Sequence, residues 1–233
     1  MIGFYDYTVI LTYLSLLSAG AGILVSLSGF GHPYFGCFFL LFCGLCDAFD
    51  GKVARTKKDR TSAGKNYGIE IDSLSDLLAF GALPACIGAA LIRTSPALHS
   101  AFAGSPNAWQ ANAVSFVLHA VLVLYILAAM IRLAYYNVTE QERQTSEPGE
   151  RKYYLGLPVT SSALIFPTVL LLQYILPADI TMFYIGAVLL TGFLFLLRFQ
   201  IKKPGLRGVM IMVAIGAAEF VLLMLWKVIC RWL

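Results

Sequence analysis

Four aspartates carry the chemistry this sequence could do. Asp47 and Asp50 close one apolar run in DAFDGKVAR (47–55), Asp72 and Asp76 open the next in GIEIDSLSD (68–76), and the basic stretch TKKDRTSAGKNY (56–67) lies between. Residues three or four apart share a helix face, with Cβ atoms roughly 5–6 Å apart. Asp47 and Asp50 therefore point one way from a first helix, and Gly51 and Ala54 continue that stripe. Gly68, Asp72 and Asp76 form a second stripe at i, i+4 spacing. Two helices folded together at the basic stretch would bring four carboxylates face to face. Like charges that close do not all stay ionised without a counter-charge. With oxygen donors only and no histidine nearby, the set suits Mg²⁺, Mn²⁺ or Ca²⁺ better than Zn²⁺. A pair of such ions about 3.5–4 Å apart is the common device for stabilising both oxygens of an in-line phosphoryl displacement. The plain alternative is two helix ends wetted by acidic residues beside a basic loop. Any one Asp fits that alternative; four in register with two Gly, an Ala and an Arg fit it poorly.

Taken together, Asp47, Asp50, Gly51, Ala54, Arg55, Gly68, Asp72 and Asp76 resemble, residue by residue, the signature of the CDP-alcohol phosphotransferases. The segments IDSLSDLLAFGALPA (71–85), RLAYYN (132–137) and YLGLP (154–158) are similar to the phosphatidylserine synthase branch of that family. Two features depart from the pattern. Twelve residues separate Arg55 from Gly68, more than the family usually has, and Tyr135 stands where the branch commonly carries a second Arg.

The resemblance implies transfer of a phosphatidyl group from CDP-diacylglycerol to L-serine, with release of CMP. It implies two ions, Mg²⁺ or Mn²⁺, one shared by Asp47, Asp50 and Asp72 and the other by Asp47, Asp72 and Asp76, with Asp76 also the catalytic base. The nucleotide would lie on Asp47, Gly51, Ala54, Arg55 and Gly68. Small side chains there let a flat base and a diphosphate approach the helix backbones, and Arg55 is a planar donor suited to phosphate oxygens. The serine carboxylate would want a cation at the cytoplasmic mouth, for which Arg132, Arg151 and Lys152 are candidates. Family members tend to be homodimers, and no nucleic acid is expected as a partner.

The elements that must position these residues lie in a membrane. Hydrophobic residues make up 59% of the 233 positions and charged ones 13%, with a mean hydropathy of +0.76. A soluble domain is nearer half apolar and about a quarter charged. The composition therefore points to an all-α integral membrane protein, read as one domain over 1–233 because no polar stretch is long enough to form another. Runs near the ~20 residues that span a bilayer fall at 8–29, 34–54, 69–92, 111–136, 157–176, 180–199 and 207–229, giving an expected bundle of seven spans. MIGFYDY lacks a basic leader region, so the first run reads as a retained helix. Longer loops are expected at 93–110 and 137–156, and a kink at Pro84 would widen the bundle beyond the Asp stripe.

Lys and Arg gather on the cytoplasmic side of membrane proteins. Placing the Asp cluster there puts fourteen basic residues inside against Arg93, Lys227 and Arg231 outside, with the N-terminus in the cytoplasm. A bacterial inner membrane or the endoplasmic reticulum accommodates this bias; the bacterial membrane is the expectation. Cys43 and Cys46 form a CxxC, but inside an apolar run they read as small buried hydrophobes rather than a redox pair. Glu219, deep in the last run, calls for a partner, either on a neighbouring helix or in a lipid or subunit contact. Other acceptors (inositol phosphate, glycerol phosphate, choline) and an ether-lipid donor fit the same residues. A cation transporter is the alternative of another class; transport sites sit near the membrane midplane on broken helices, whereas these Asp residues adjoin a basic loop.

Overall fold

The computed structural model describes residues 3–29, 34–102, 108–146, 153–174, 179–203 and 205–229. The described residues are mostly helical, 86%. The main helices are α1 (Ile10–Ser28), α2 (Tyr34–Thr56), α3 (Ser62–Asp76), α4 (Leu83–Thr94), the short α5 (Pro96–Phe102), α6 (Ala108–Ser146), α7 (Ser162–Leu171), α8 (Thr181–Leu196) and α9 (Leu206–Ile229). A π-helical segment, Leu77–Ala82, joins α3 to α4 without a break. Among the described residues, four helical stretches are long and apolar enough to cross a membrane: Tyr7–Ser28, Ser62–Thr94, Asn112–Arg143 and Leu206–Leu225. The protein is an α-helical membrane protein. Each of the seven apolar runs contains a helix.

α1 is the centre of the first half. It packs along α2, and also on α3 and α4. The contacts are held by small polar groups. Ser18 Oγ donates to the Phe39 carbonyl at 3.1 Å, the Cys43 thiol to Ser15 O at 3.3 Å, and Ser75 Oγ to Thr12 O at 3.3 Å. Such residues let helix backbones approach where no water drives association. Gly44 serves the same end against α7, since a Cβ there would stand 2.5 Å from that of Ala163. Cys37, Cys43 and Cys46 are buried free thiols, as a packing role for the CxxC requires. A buried aromatic group, Phe80, Tyr125, Phe166, Tyr184 and Phe195, fills the second half of the core. Glu219 on α9 is 5% exposed and accepts a hydrogen bond from Thr168 on α7, so of the partners its depth allowed it has a neighbouring helix.

The two ends of the bundle are tied separately. At one, Arg93 donates to the carbonyls of Leu27 (2.8 Å) and Ser26 (3.1 Å), satisfying the last turn of α1 beyond which Gly29 turns left-handed. Asp179 joins the same end by accepting from Ser95, from the Ala97 N–H (3.2 Å) and from Thr181 (2.5 Å). Burial raises its carboxyl pKa, but these hydrogen bonds outweigh it and hold the group below the usual range. At the other end, Asp6 pairs with Lys57 at 3.1 Å and Thr56 donates to Tyr7 Oη at 3.2 Å. Bonds from Thr8 first, and then Lys57, hold the Asp6 carboxyl down at about 2, so this tie stays charged at neutral pH. The start of the chain thus braces the turn between α2 and α3.

Three features differ from the sequence expectation. The basic stretch 55–68 is mostly helix: α2 runs to Thr56, and Thr61 caps α3 by accepting from the Gly64 N–H at 3.1 Å. The loop expected from 137 is helical through Ser146, where Glu140 and Arg143 pair at 2.6 Å across one turn. A two-stranded antiparallel ribbon joins β1 (Tyr153–Leu155) to β2 (Gln200–Lys202), with Tyr154 opposite Ile201. Gly156 closes this ribbon. Its φ of +75° is left-handed, its N–H reaches Phe199 O at 2.6 Å, and an added Cβ would stand 2.6 Å from Leu197 O. The glycine of YLGLP is therefore required by backbone geometry.

Widening beyond the Asp stripe is also closer to it than Pro84 suggested. The π-helical segment begins at the residue after Asp76, and Pro84 lies in the first turn of α4. Proline has no N–H for the preceding turn; the Phe80 carbonyl is instead taken by the buried Tyr125 hydroxyl at 2.6 Å. Tyr125→Phe would leave that buried acceptor unpaired, at a cost of about 1–3 kcal/mol. The expected result is a lower melting temperature in detergent, and an unchanged one would show that Tyr125 does not hold the segment.

Candidate active site

The four aspartates line a cleft between α2 and α3. These two helices scarcely touch each other, because each packs on α1 instead. The sequence suggested two helices folded together; the structure has them splayed, with α1 as the shared support. Asp50 and Asp72 are electrostatic neighbours across the cleft. Two carboxylates that face each other repel unless a proton or a cation lies between them. Deeper in, Asp76 has Asp47 as its strongest electrostatic neighbour, followed by Asp72 and Asp50. Asp76 is buried at 9% exposure, and the other three are half-buried.

No Lys or Arg forms an ion pair with any of the four among the described residues, where the pairs present are Lys57–Asp6 and Arg143–Glu140. As the side chains lie, no three His, Cys, Asp or Glu among the described residues stand close enough to hold one metal ion. The residues present nonetheless fit a hard divalent cation. Their donors are all oxygens, they face one another between α2 and α3, and no Lys or Arg among the described residues forms an ion pair with them.

Gly51, Ala54 and Arg55 follow on α2, and Gly68 lies one turn before Asp72 on α3. The Arg55 guanidinium stands over Gly51, 3.8 Å from where a Cβ would be. Arg132 on α6 is 5% exposed; its Nε donates to Leu157 O at 3.2 Å and its guanidinium lies over the Tyr136 ring at 5.6 Å. It clamps the YLGLP turn onto α6. Arg151 and Lys152 lie outside the described residues. Tyr135 carries the Arg198 guanidinium over its ring at 5.7 Å, so the segment between α8 and β2 brings a cation to the position where an Arg was missing.

Two residues that the motif did not single out also stand here. Asn137, the last residue of RLAYYN, donates to Ser73 Oγ at 2.6 Å, beside Asp72. Arg60, from the turn before α3, lies against Gly68, with Nη2 2.6 Å from where a Cβ would be. Asn137 carried a signal in being part of the quoted segment. Arg60 carried none, since its contact depends on how the turn folds.

Comparison with known proteins adds to this geometry. A family model described as CDP-alcohol phosphatidyltransferase matches residues 8–232. A CDP-diacylglycerol–serine O-phosphatidyltransferase of Saccharomyces cerevisiae is 30% identical over 163 residues, covering 66% of this chain and 50% of the relative. An archaetidylserine synthase of Methanothermobacter thermautotrophicus is 32% identical over 154 residues, 65% of this chain and 53% of that one. A CDP-diacylglycerol–serine O-phosphatidyltransferase of Mycobacterium leprae is 27% identical over 235 residues, 94% of this chain and 70% of the relative. The chain spans about half the length of the first two.

Proposed function

Since the chain belongs to the CDP-alcohol phosphatidyltransferase family, we propose that it transfers a phosphatidyl group from CDP-diacylglycerol to L-serine, yielding phosphatidylserine and CMP. The observation that carries this reading is the pair of aspartate stripes facing each other across the α2–α3 cleft. Serine as acceptor is supported by the names of the yeast and mycobacterial relatives.

Asp47, Asp50, Asp72 and Asp76 would hold Mg²⁺ or Mn²⁺, two ions in all. When bound, the ions neutralise the diphosphate and stabilise the leaving CMP phosphate. Gly51, Ala54 and Gly68 let the nucleotide approach the backbones of α2 and α3, with Asp47 beside it, and Arg55 binds phosphate oxygens. In the transfer, a bond forms between the serine hydroxyl oxygen and the lipid-linked phosphorus, and the bond from that phosphorus to the CMP oxygen breaks. Asp76 takes the hydroxyl proton on its carboxylate, which must be unprotonated beforehand. Arg132, Arg151 and Lys152 supply positive charge for the serine carboxylate. The whole chain, 1–233, acts as one membrane domain of seven spans, with the N-terminus and the cleft on the cytoplasmic face of a bacterial inner membrane. The protein works as a homodimer, which native mass spectrometry from nanodiscs would test; α9 keeps most of its apolar surface outside the bundle, where lipid or a second copy would cover it.

Purified protein given CDP-diacylglycerol and a panel of radiolabelled alcohols is expected to release CMP and make lipid product with serine. Product with inositol phosphate, glycerol phosphate or choline and none with serine would overturn the acceptor assignment. The archaetidylserine synthase relative favours a second reading, an ether-lipid donor. The same assay with a CDP-linked diether lipid decides between the two donors by kcat/KM.

A further inference from the structure

The cleft has a second arginine, on the wall opposite Arg55. Arg60 precedes the Thr61 cap of α3, and its side chain climbs along the first turns of that helix. Nη2 donates to the Gly64 carbonyl at 2.9 Å and lies 2.6 Å from where a Cβ on Gly68 would be, with Cζ at 3.6 Å and Nη1 at 3.9 Å. Any side chain at Gly68 would displace it. Gly68 is one helical turn from Asp72, so this guanidinium stands just outside the carboxylates, as Arg55 does over Gly51 on the facing helix.

Arg60 is half-buried, and among the described residues it has no carboxylate partner, although Asp59 and Glu70 are near in sequence. Clamping the turn uses one N–H on Gly64 and leaves most of a five-donor fork unengaged. A planar fork with unmet donors at the rim of an acidic cleft suits phosphate oxygens.

We propose that Arg60 is a second phosphate-binding residue, which leaves the face of Gly68 as the nucleotide enters and pairs with the diphosphate of the CDP-lipid. This rests on the cleft being the CDP-lipid site. Charge balance points the same way. Four carboxylates and a doubly charged diphosphate, set against two divalent ions, leave a deficit of two positive charges, the number that Arg55 and Arg60 supply. The longer connection between Arg55 and Gly68 then has a use. It forms the capped turn that carries Arg60.

The test measures binding by calorimetry, with CDP-diacylglycerol and Mn²⁺ in a neutral detergent free of anionic lipid, so that no other headgroup phosphate competes. Arg60→Ala and Arg60→Gln are compared with the wild type; Gln keeps an amide donor for the Gly64 carbonyl but no charge. Both are expected to weaken binding roughly ten- to a hundredfold, the range of a hydrogen bond to a charged group, with melting temperatures unchanged. Arg60→Lys is expected to recover part of the loss, restoring charge without the fork. Wild-type affinity in Arg60→Gln would overturn the proposal and leave Arg60 as a clamp on the turn. Arg55→Ala serves as the control for the site. If it weakens binding while the Arg60 variants do not, only the role of Arg60 falls. If neither the Arg55 nor the Arg60 variants lose affinity, the reading of the cleft as the CDP-lipid site falls with it.

Discussion

Asp76→Asn is expected to lower kcat by roughly 10²–10⁴-fold, the usual contribution of a general base, while CDP-diacylglycerol still binds. Asp76 is the most buried of the four carboxylates and the last residue of α3, just before the π-helical segment. Asparagine keeps its shape and one oxygen but cannot accept the serine proton. Asp47→Asn is expected to behave differently, weakening ion and nucleotide binding together, because Asp47 neighbours both Asp72 and Asp76. Calorimetry with CDP-lipid and Mn²⁺, run alongside turnover on each variant, separates the two roles. Equal losses of binding in both would make Asp76 one more ligand. Near-wild-type turnover in Asp76→Asn would mean that another group or solvent takes the proton.

Stripping divalent ions is expected to reduce turnover to background, and Mg²⁺ or Mn²⁺ is expected to restore it. The physical ground is the missing counter-charge. Four carboxylates share a cleft, Asp50 and Asp72 are electrostatic neighbours across it, and no Lys or Arg among the described residues forms an ion pair with them. Adding a doubly charged diphosphate to that cleft without cations would bring like charges together at short range, where repulsion is strong. Full turnover by metal-free enzyme in EDTA would refute the assignment of these residues as ion ligands.

Local rules settled much of this protein in advance. Hydropathy alone located the apolar helices, because a chain in lipid must satisfy its backbone internally. Helical periodicity alone put Asp47 with Asp50 and Asp72 with Asp76 on shared faces, since that spacing depends only on residues one turn apart. Glu219 was readable as needing a partner, though not whether a helix, a lipid or a second subunit would supply it; Thr168 on α7 does.

What depended on distant contacts was not legible. The cleft exists because α2 and α3 both pack on α1, through Ser18, Cys43 and Ser75, residues whose small polar side chains give no warning of their partners. The π-helical turn after Asp76 goes with Tyr125, 45 residues from the Phe80 carbonyl it satisfies. The ribbon between β1 and β2 pairs segments whose sequences carry no strand periodicity; it is held by Gly156 and by Arg132 on the Leu157 carbonyl. Arg60 shows the same limit at short range. It is only eight residues from Gly68, but its place over that glycine follows from the Thr61 cap and from the N-terminal segment bracing the turn, and no periodicity encodes either.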